Sequence, residues 1–136
     1  MRPLIVLFLS LTLAMGAMAA ERINRFDFDI DVQTNGDSIV NETLTVTSEG
    51  NQIRRGILRL LPRYYSDDGA KLPYGYTVLS VSRDGAREPY ATSTMDNALE
   101  VRIGDADVFL QNGQHIYEIR YRVKNQVRYF PAHDEV

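Results

Sequence analysis

The sequence predicts an all-β fold, an antiparallel β-sandwich of immunoglobulin-like type, carried behind a cleavable signal peptide. Three observations lead there. Short runs rich in β-branched and aromatic residues alternate apolar and polar positions with a period of two. The dipeptides Asn35-Gly36, Asp68-Gly69, Asp84-Gly85 and Asn112-Gly113 separate them as turn signals. Beyond the leader no stretch of helical length keeps a 3.6-residue apolar period. Several short strands with regular turns read as a sandwich.

The leader is MRPLIVLFLSLTLAMGAMAA, residues 1–20: a basic Arg2, an apolar run from Leu4 to Met15, and small residues ending in Ala17-Met18-Ala19. The run is shorter than the roughly 20 residues a membrane-spanning helix needs, so cleavage is expected rather than an uncleaved anchor. The chain has no cysteine, which excludes a lipid anchor at the cleavage point and leaves an exported domain stabilised by packing alone. Removing the leader takes Arg2 from a chain of 15 Lys+Arg and 18 Asp+Glu, moving the formal charge from -3 to -4 and disfavouring bulk nucleic-acid binding. Residues 21–136 fit one domain.

Along that domain, FDFDIDV (Phe26 to Val32) sets Phe26, Phe28, Ile30 and Val32 on one face and Asp27, Asp29 and Asp31 on the other, a half-buried strand with its carboxylates in water. Asn35-Gly36 suits a two-residue hairpin, so SIVNETLTVT returns antiparallel, with Val40, Glu42, Leu44 and Val46 facing inward. Further strands are expected at Tyr76 to Ser82, Ala98 to Gly104, Asp107 to Leu110 and His115 to Val123. In the last, Tyr117, Ile119, Tyr121 and Val123 line one face.

The stretch RRGILRLLPRYY, Arg54 to Tyr65, sets four arginines among aliphatic residues and tyrosines. Read as a strand, Ile53, Arg55, Ile57, Arg59 and Leu61 point one way and Arg54, Gly56, Leu58, Leu60 and Pro62 the other, and neither face is clean. An inward Glu42 needs a partner, because an unpaired buried carboxylate is costly and an arginine fork satisfies it with paired hydrogen bonds. A structural ion pair of Glu42 with Arg55 or Arg59 is the leading reading. In the bland alternative the arginines cover apolar surface with their stems. In the functional one Arg54, Arg59 and Arg63, beside Tyr64 and Tyr65, bind an anionic lipid head group or envelope polymer.

Candidate chemistry is sparse. There is no cysteine nucleophile, no serine in a Gly-x-Ser-x-Gly elbow, and only His115 and His133 as neutral-pH bases. His133 and Glu135 are too few for a metal site, and Asp27, Asp29 and Asp31 alternate along a strand instead of gathering on a loop as calcium ligands do. No catalytic residue, metal or cofactor is expected.

The segments Asn41-Glu42-Thr43, Arg55-Gly56-Ile57-Leu58-Arg59-Leu60-Leu61-Pro62, Arg102-Ile103-Gly104-Asp105, Gly113 to Val123 and Asp134-Glu135 together resemble the N-terminal extracytoplasmic domain of domain-of-unknown-function family 2207, predicted bacterial membrane proteins. The resemblance implies an exported β-sandwich ahead of transmembrane helices, and no known activity. It also implies a domain incomplete at its C-terminus, because the family continues past the Asp-Glu pair. The expectation is a non-enzymatic interaction or sensing module at the periplasmic or extracytoplasmic face of a bacterial inner membrane, with an unknown protein or envelope partner. The alternative is a binding module for an anionic envelope component through Arg54 to Tyr65.

Overall fold

A computed structural model describes residues 21–124, 128–129 and 134–135. The strands are β1 (Arg22–Val32), β2 (Ser38–Ser48), β3 (Ile57–Pro62), β4 (Tyr64–Asp67), β5 (Ala70–Pro73), β6 (Gly75–Arg83), β7 (Ala86–Arg87), β8 (Tyr90–Thr94), β9 (Ala98–Ile103), β10 (Gly113–Lys124), β11 (Arg128–Tyr129) and β12 (Asp134–Glu135). All pairings among the described residues are antiparallel, and none of those residues is helical.

The period-two patterns of β2 and β10 organise the fold. The two strands pair along their length, from Ser48 opposite Gly113 to Ser38 opposite Val123. Their common inner face buries Val40, Leu44, Val46, Tyr117, Ile119, Tyr121 and Val123. Each such side chain stabilises the fold by about 1.5–3 kcal/mol relative to leaving it in water. β1 flanks β2, while β6 and then β7 follow β10, giving a five-stranded sheet in the order β1-β2-β10-β6-β7. A three-stranded sheet, β3-β9-β8, brings Leu61, Val101 and Ile103 onto the same core. β4 with β5, and β11 with β12, form separate two-stranded sheets.

Turn chemistry explains the connections. Asp68 and Gly69 have φ of 43° and 80°, and Asp84 and Gly85 have 51° and 80°, so these two dipeptides make the two-residue turns that join β4 to β5 and β6 to β7. Asn35-Gly36 behaves differently from the two-residue hairpin expected. It lies in a five-residue loop, Gln33 to Asp37, closed by Gln33 N–H donating to the Asp37 carbonyl (2.8 Å) and Asp37 N–H donating to Asn35 Oδ1 (3.0 Å). The side chain of Asn35 organises the wider loop.

Two further expectations are corrected. Asp107 to Leu110 is a loop, because Asp107 N–H donates to Asp105 Oδ1 (2.8 Å), Val108 N–H to the Asp105 carbonyl (3.3 Å) and Leu110 N–H to the Arg54 carbonyl (2.9 Å). These local bonds occupy the donors a ladder would use. β1 keeps its alternation and pairs with β2 through Phe26 opposite Leu44 and Ile30 opposite Val40. Its apolar face is not half-buried, however: Phe26, Phe28, Ile30 and Val32 are 44–63% exposed, since among the described residues the second sheet ends at β3.

The second sheet depends on a close backbone approach where β3 begins and β9 ends. A methyl group on Gly56 would fall 1.8 Å from the Ile103 carbonyl oxygen, and one on Gly104 2.1 Å from that of Arg55. Gly104 also sits at φ 122°, where side chains are strained. Gly104→Ala is therefore expected to cost at least about 2 kcal/mol in chemical denaturation, from strain plus overpacking. Gly69→Ala, at φ 80° with nothing within 4 Å, is expected to cost only about 1 kcal/mol from backbone strain.

Candidate functional site

Glu42 lies at the centre of the region the sequence singles out. It is 3% exposed on the inner face of β2, and three donors from two other strands meet its carboxylate. Arg59 on β3 donates through Nε to Oε2 (2.7 Å) and through Nη2 to Oε1 (2.8 Å), and the Tyr121 hydroxyl on β10 donates to Oε1 (2.7 Å). Arg59 also donates through Nη1 to the Leu60 carbonyl (2.6 Å), and its guanidinium lies 5.5 Å from the Phe26 ring centre. The hydrogen bonds that Arg59 donates to Glu42 outweigh desolvation and raise the Arg59 pKa. Burial, then the bond to Glu42, pushes the Tyr121 phenol well above its usual range.

Arg55 does not pair with Glu42. It precedes β3, on the far side of the Gly56 approach, and its guanidinium lies 4.6 Å from the Phe109 ring centre, with that of Arg54 at 5.7 Å. Arg54, Arg59 and Arg63 are not brought together either. Arg59 is engaged by Glu42, and Arg63 donates to the Met95 carbonyl (2.9 Å) while its guanidinium lies 5.1 Å from the Tyr64 ring centre. The structure instead places Arg54, Arg55 and Arg102 around an open cleft of about 630 Å³, whose apolar wall includes Leu44, Val46 and Ile103. Arg102 was not anticipated: its signal, a cation one residue before the Ile103-Gly104 close approach, needs the strand register to be seen.

A second open cleft, of about 400 Å³, is lined by Phe28, Ile30, Val40, Leu61, Tyr76 and Val123 among others. Glu42 lines this second cleft together with Ser38 and Val40 of β2, while the first cleft takes the next inward residues of that strand, Leu44 and Val46. Burial pushes the Tyr76 phenol up to about 12, and its hydroxyl donates to the Pro62 carbonyl (2.8 Å).

Two hydrogen-bonded clamps tie the chain elsewhere. His115, buried at the start of β10, bonds through Nδ1 to Asp84 Oδ2 (2.7 Å) and through Nε2 to the Gln111 carbonyl (2.7 Å), so its ring is a structural tie between the β6–β7 turn and the loop before β10. Asp84 also accepts from Ile116 N–H (2.8 Å). Burial raises the Asp84 pKa, and the bonds from His115 and Ile116 outweigh it, leaving a net lowering. Glu21 was missed by sequence reasoning. Its carboxylate accepts backbone N–H groups of Glu49, Asn51, Gln52 and Ile53 at 2.5–3.2 Å, holding the β2–β3 loop to the start of β1.

His133 lies outside the described residues, as does the side chain of Glu135. Asp27, Asp29 and Asp31 are exposed, and among the described residues no cluster of three His, Cys, Asp or Glu is arranged to hold a metal ion. Among the same residues no helix is long and apolar enough to cross a membrane.

With this geometry described, three comparisons bear on identity. A family model described as "Predicted membrane protein (DUF2207) N-terminal domain" matches residues 22–136. The Escherichia coli (strain K12) protein described as "Uncharacterized protein YciQ" is 32% identical over 106 residues, covering 77% of this chain and 17% of that protein. The chain thus spans about a sixth of that relative's length. No solved structure matches.

The Glu21 clamp predicts a pH dependence. Burial raises the Glu21 pKa, but four backbone donors bring it from 4.5 down to about 2. A carboxylate with a lowered folded-state pKa contributes stability that is fully present above 4.5 and lost as pH falls toward 2. Glu21→Gln is therefore expected to lower the denaturation midpoint at pH 7, and the gap from the wild type to narrow as pH falls through 4.5 toward 2.

Proposed function

The chain belongs to the family of predicted membrane protein (DUF2207) N-terminal domains, a family of unknown function, and from that premise we propose a role as a non-enzymatic interaction or sensing module. In this reading residues 21–136 form an immunoglobulin-like β-sandwich, exported behind a cleaved signal peptide to the periplasmic side of the inner membrane. The observation that carries it is the open 630 Å³ cleft beneath Arg54, Arg55 and Arg102, where an apolar floor and a guanidinium rim offer both contact area and orientation to a protein partner. Phe109, 59% exposed and flanked by Arg54 and Arg55, is an aromatic anchor beside it.

A photo-crosslinking residue in place of Phe109, in the full-length protein in intact cells, is expected to trap a discrete adduct in the membrane fraction, and Arg54→Ala with Arg55→Ala is expected to abolish it. No adduct, or one indifferent to both substitutions, contradicts the reading. The same three guanidiniums favour a second reading, an anionic envelope component, since each gains about 1 kcal/mol near an anionic membrane surface. Salt-sensitive retention of the domain on anionic vesicles, reduced by the same substitutions, distinguishes it from a protein partner.

A further inference from the structure

Two arginines of the first cleft are held in place without an acidic partner. Leu110 N–H donates to the Arg54 carbonyl (2.9 Å), which keeps the loop carrying Phe109 against this stretch. The guanidiniums of Arg54 and Arg55 lie over that one ring, 5.7 and 4.6 Å from its centre. Among the described residues neither guanidinium makes a hydrogen bond or an ion pair. Stacking holds a guanidinium by its face and leaves its N–H edge free to donate. Arg102, the third cation at the cleft, pairs with Glu100 (3.1 Å), and Asp105, the acid in the cleft wall, gives Oδ1 to the Asp107 N–H (2.8 Å). Two like charges side by side with their donors unused are a place for an anion.

The rest of the cleft is largely aliphatic. Leu44, Val46, Ile53, Ile57 and Ile103 line it, and Ile23 and Leu58, 60% and 53% exposed, add two large side chains that water still reaches. Its volume of about 630 Å³ falls within the roughly 300–1,000 Å³ of small-molecule sites. We propose that this cleft binds a single-chain anionic amphiphile, with its carboxylate or phosphate head on Arg54 and Arg55 and its acyl chain along Ile23, Ile53, Ile57 and Leu58. The inference rests on the reading of the cleft as the site of an anionic envelope component, and it makes that ligand the signal of a sensing module.

Each part of the cleft narrows the occupant. A purely anionic polymer would leave the aliphatic wall uncovered, and an uncharged lipid would leave the two guanidiniums without an acceptor. A flat bilayer surface meets the exposed rim but not the wall, where Ile53 and Ile57 are half-buried against the core. One acyl chain drawn out of the bilayer reaches both. Chain length then sets affinity, because each methylene laid on the wall and removed from water strengthens binding by up to about fourfold.

The test uses the full-length protein in membranes and a hexadecanoate bearing a photoreactive group near its methyl end. Label is expected on the stretches from Ile53 to Leu58 and from Ile103 to Ala106, displaced by unlabelled hexadecanoate, more weakly by decanoate, and not by hexadecanol at the same concentration. Arg54→Gln with Arg55→Gln is expected to reduce it about tenfold or more, through loss of charge-assisted hydrogen bonds. Ile23→Trp, at an exposed position that tolerates the change, is expected to reduce it by filling the mouth, and it carries the test if the arginine variant fails to accumulate. No label in these stretches, or displacement by hexadecanol as readily as by hexadecanoate, overturns the proposal. Retention on anionic vesicles without label in the cleft would overturn the acyl-chain ligand alone and leave the anionic-component reading standing; loss of both would remove that reading too.

Discussion

A carboxylate removed from water in the middle of a strand has to be satisfied, and Glu42 is satisfied from both sheets at once. The fork of Arg59 and the hydroxyl of Tyr121 supply three hydrogen bonds to it. Removing such a charge from water costs several kcal/mol unless its geometry is well met. That cost makes the position of β3 over β2 specific: another register or distance between the sheets would leave Glu42 unpaired. The apolar residues around it, Val40, Leu44, Leu61, Ile119 and Tyr121, would tolerate small slips; the ion pair would not.

The rest of the architecture follows from where that pin is set. Among the described residues the second sheet extends from β3 through β9 to β8, and the apolar face of β1 is left exposed. Glu42 lines one of two clefts of different chemistry, and the other begins at the next inward residue of β2, Leu44. One has arginines at its rim; the other is bordered by tyrosines and the apolar row of β1. Glu21 and Asp84 do similar work at the margins, where each carboxylate gathers donors that the turns leave free. The domain has no disulfide, and these polar ties fix its connections where packing is thin.

The alternation of β2 and β10 was legible from sequence because a period of two states directly which residues share a face. It identified the inner set, Glu42 included. It narrowed the partner of Glu42 to Arg55 or Arg59 but went no further, since both occupy the same parity. The choice depends on β3 beginning at Ile57, after the Gly56 approach, which sends Arg55 toward Phe109. The part played by Tyr121 depends on the register of β10 against β2, which no local pattern encodes. β1 shows the same limit from another side. Periodicity defines an apolar face, but whether another strand covers it is a matter of sheet width. Asp105 and Asn35 show how a short polar side chain that bonds the neighbouring backbone overrides a propensity for strand or tight turn.

The central claim is that Glu42 and Arg59 act as one unit in placing the second sheet, and a double-mutant cycle tests it most directly. Denaturation would be measured for the wild type, Glu42→Gln, Arg59→Met and the double variant. Arg59 keeps 27% of its side chain exposed, so the coupling should fall short of a fully buried pair, at about 2 kcal/mol, with the double variant losing much less than the singles together. Additive losses, within about 0.5 kcal/mol, would mean that the pair does not hold the sheets in place.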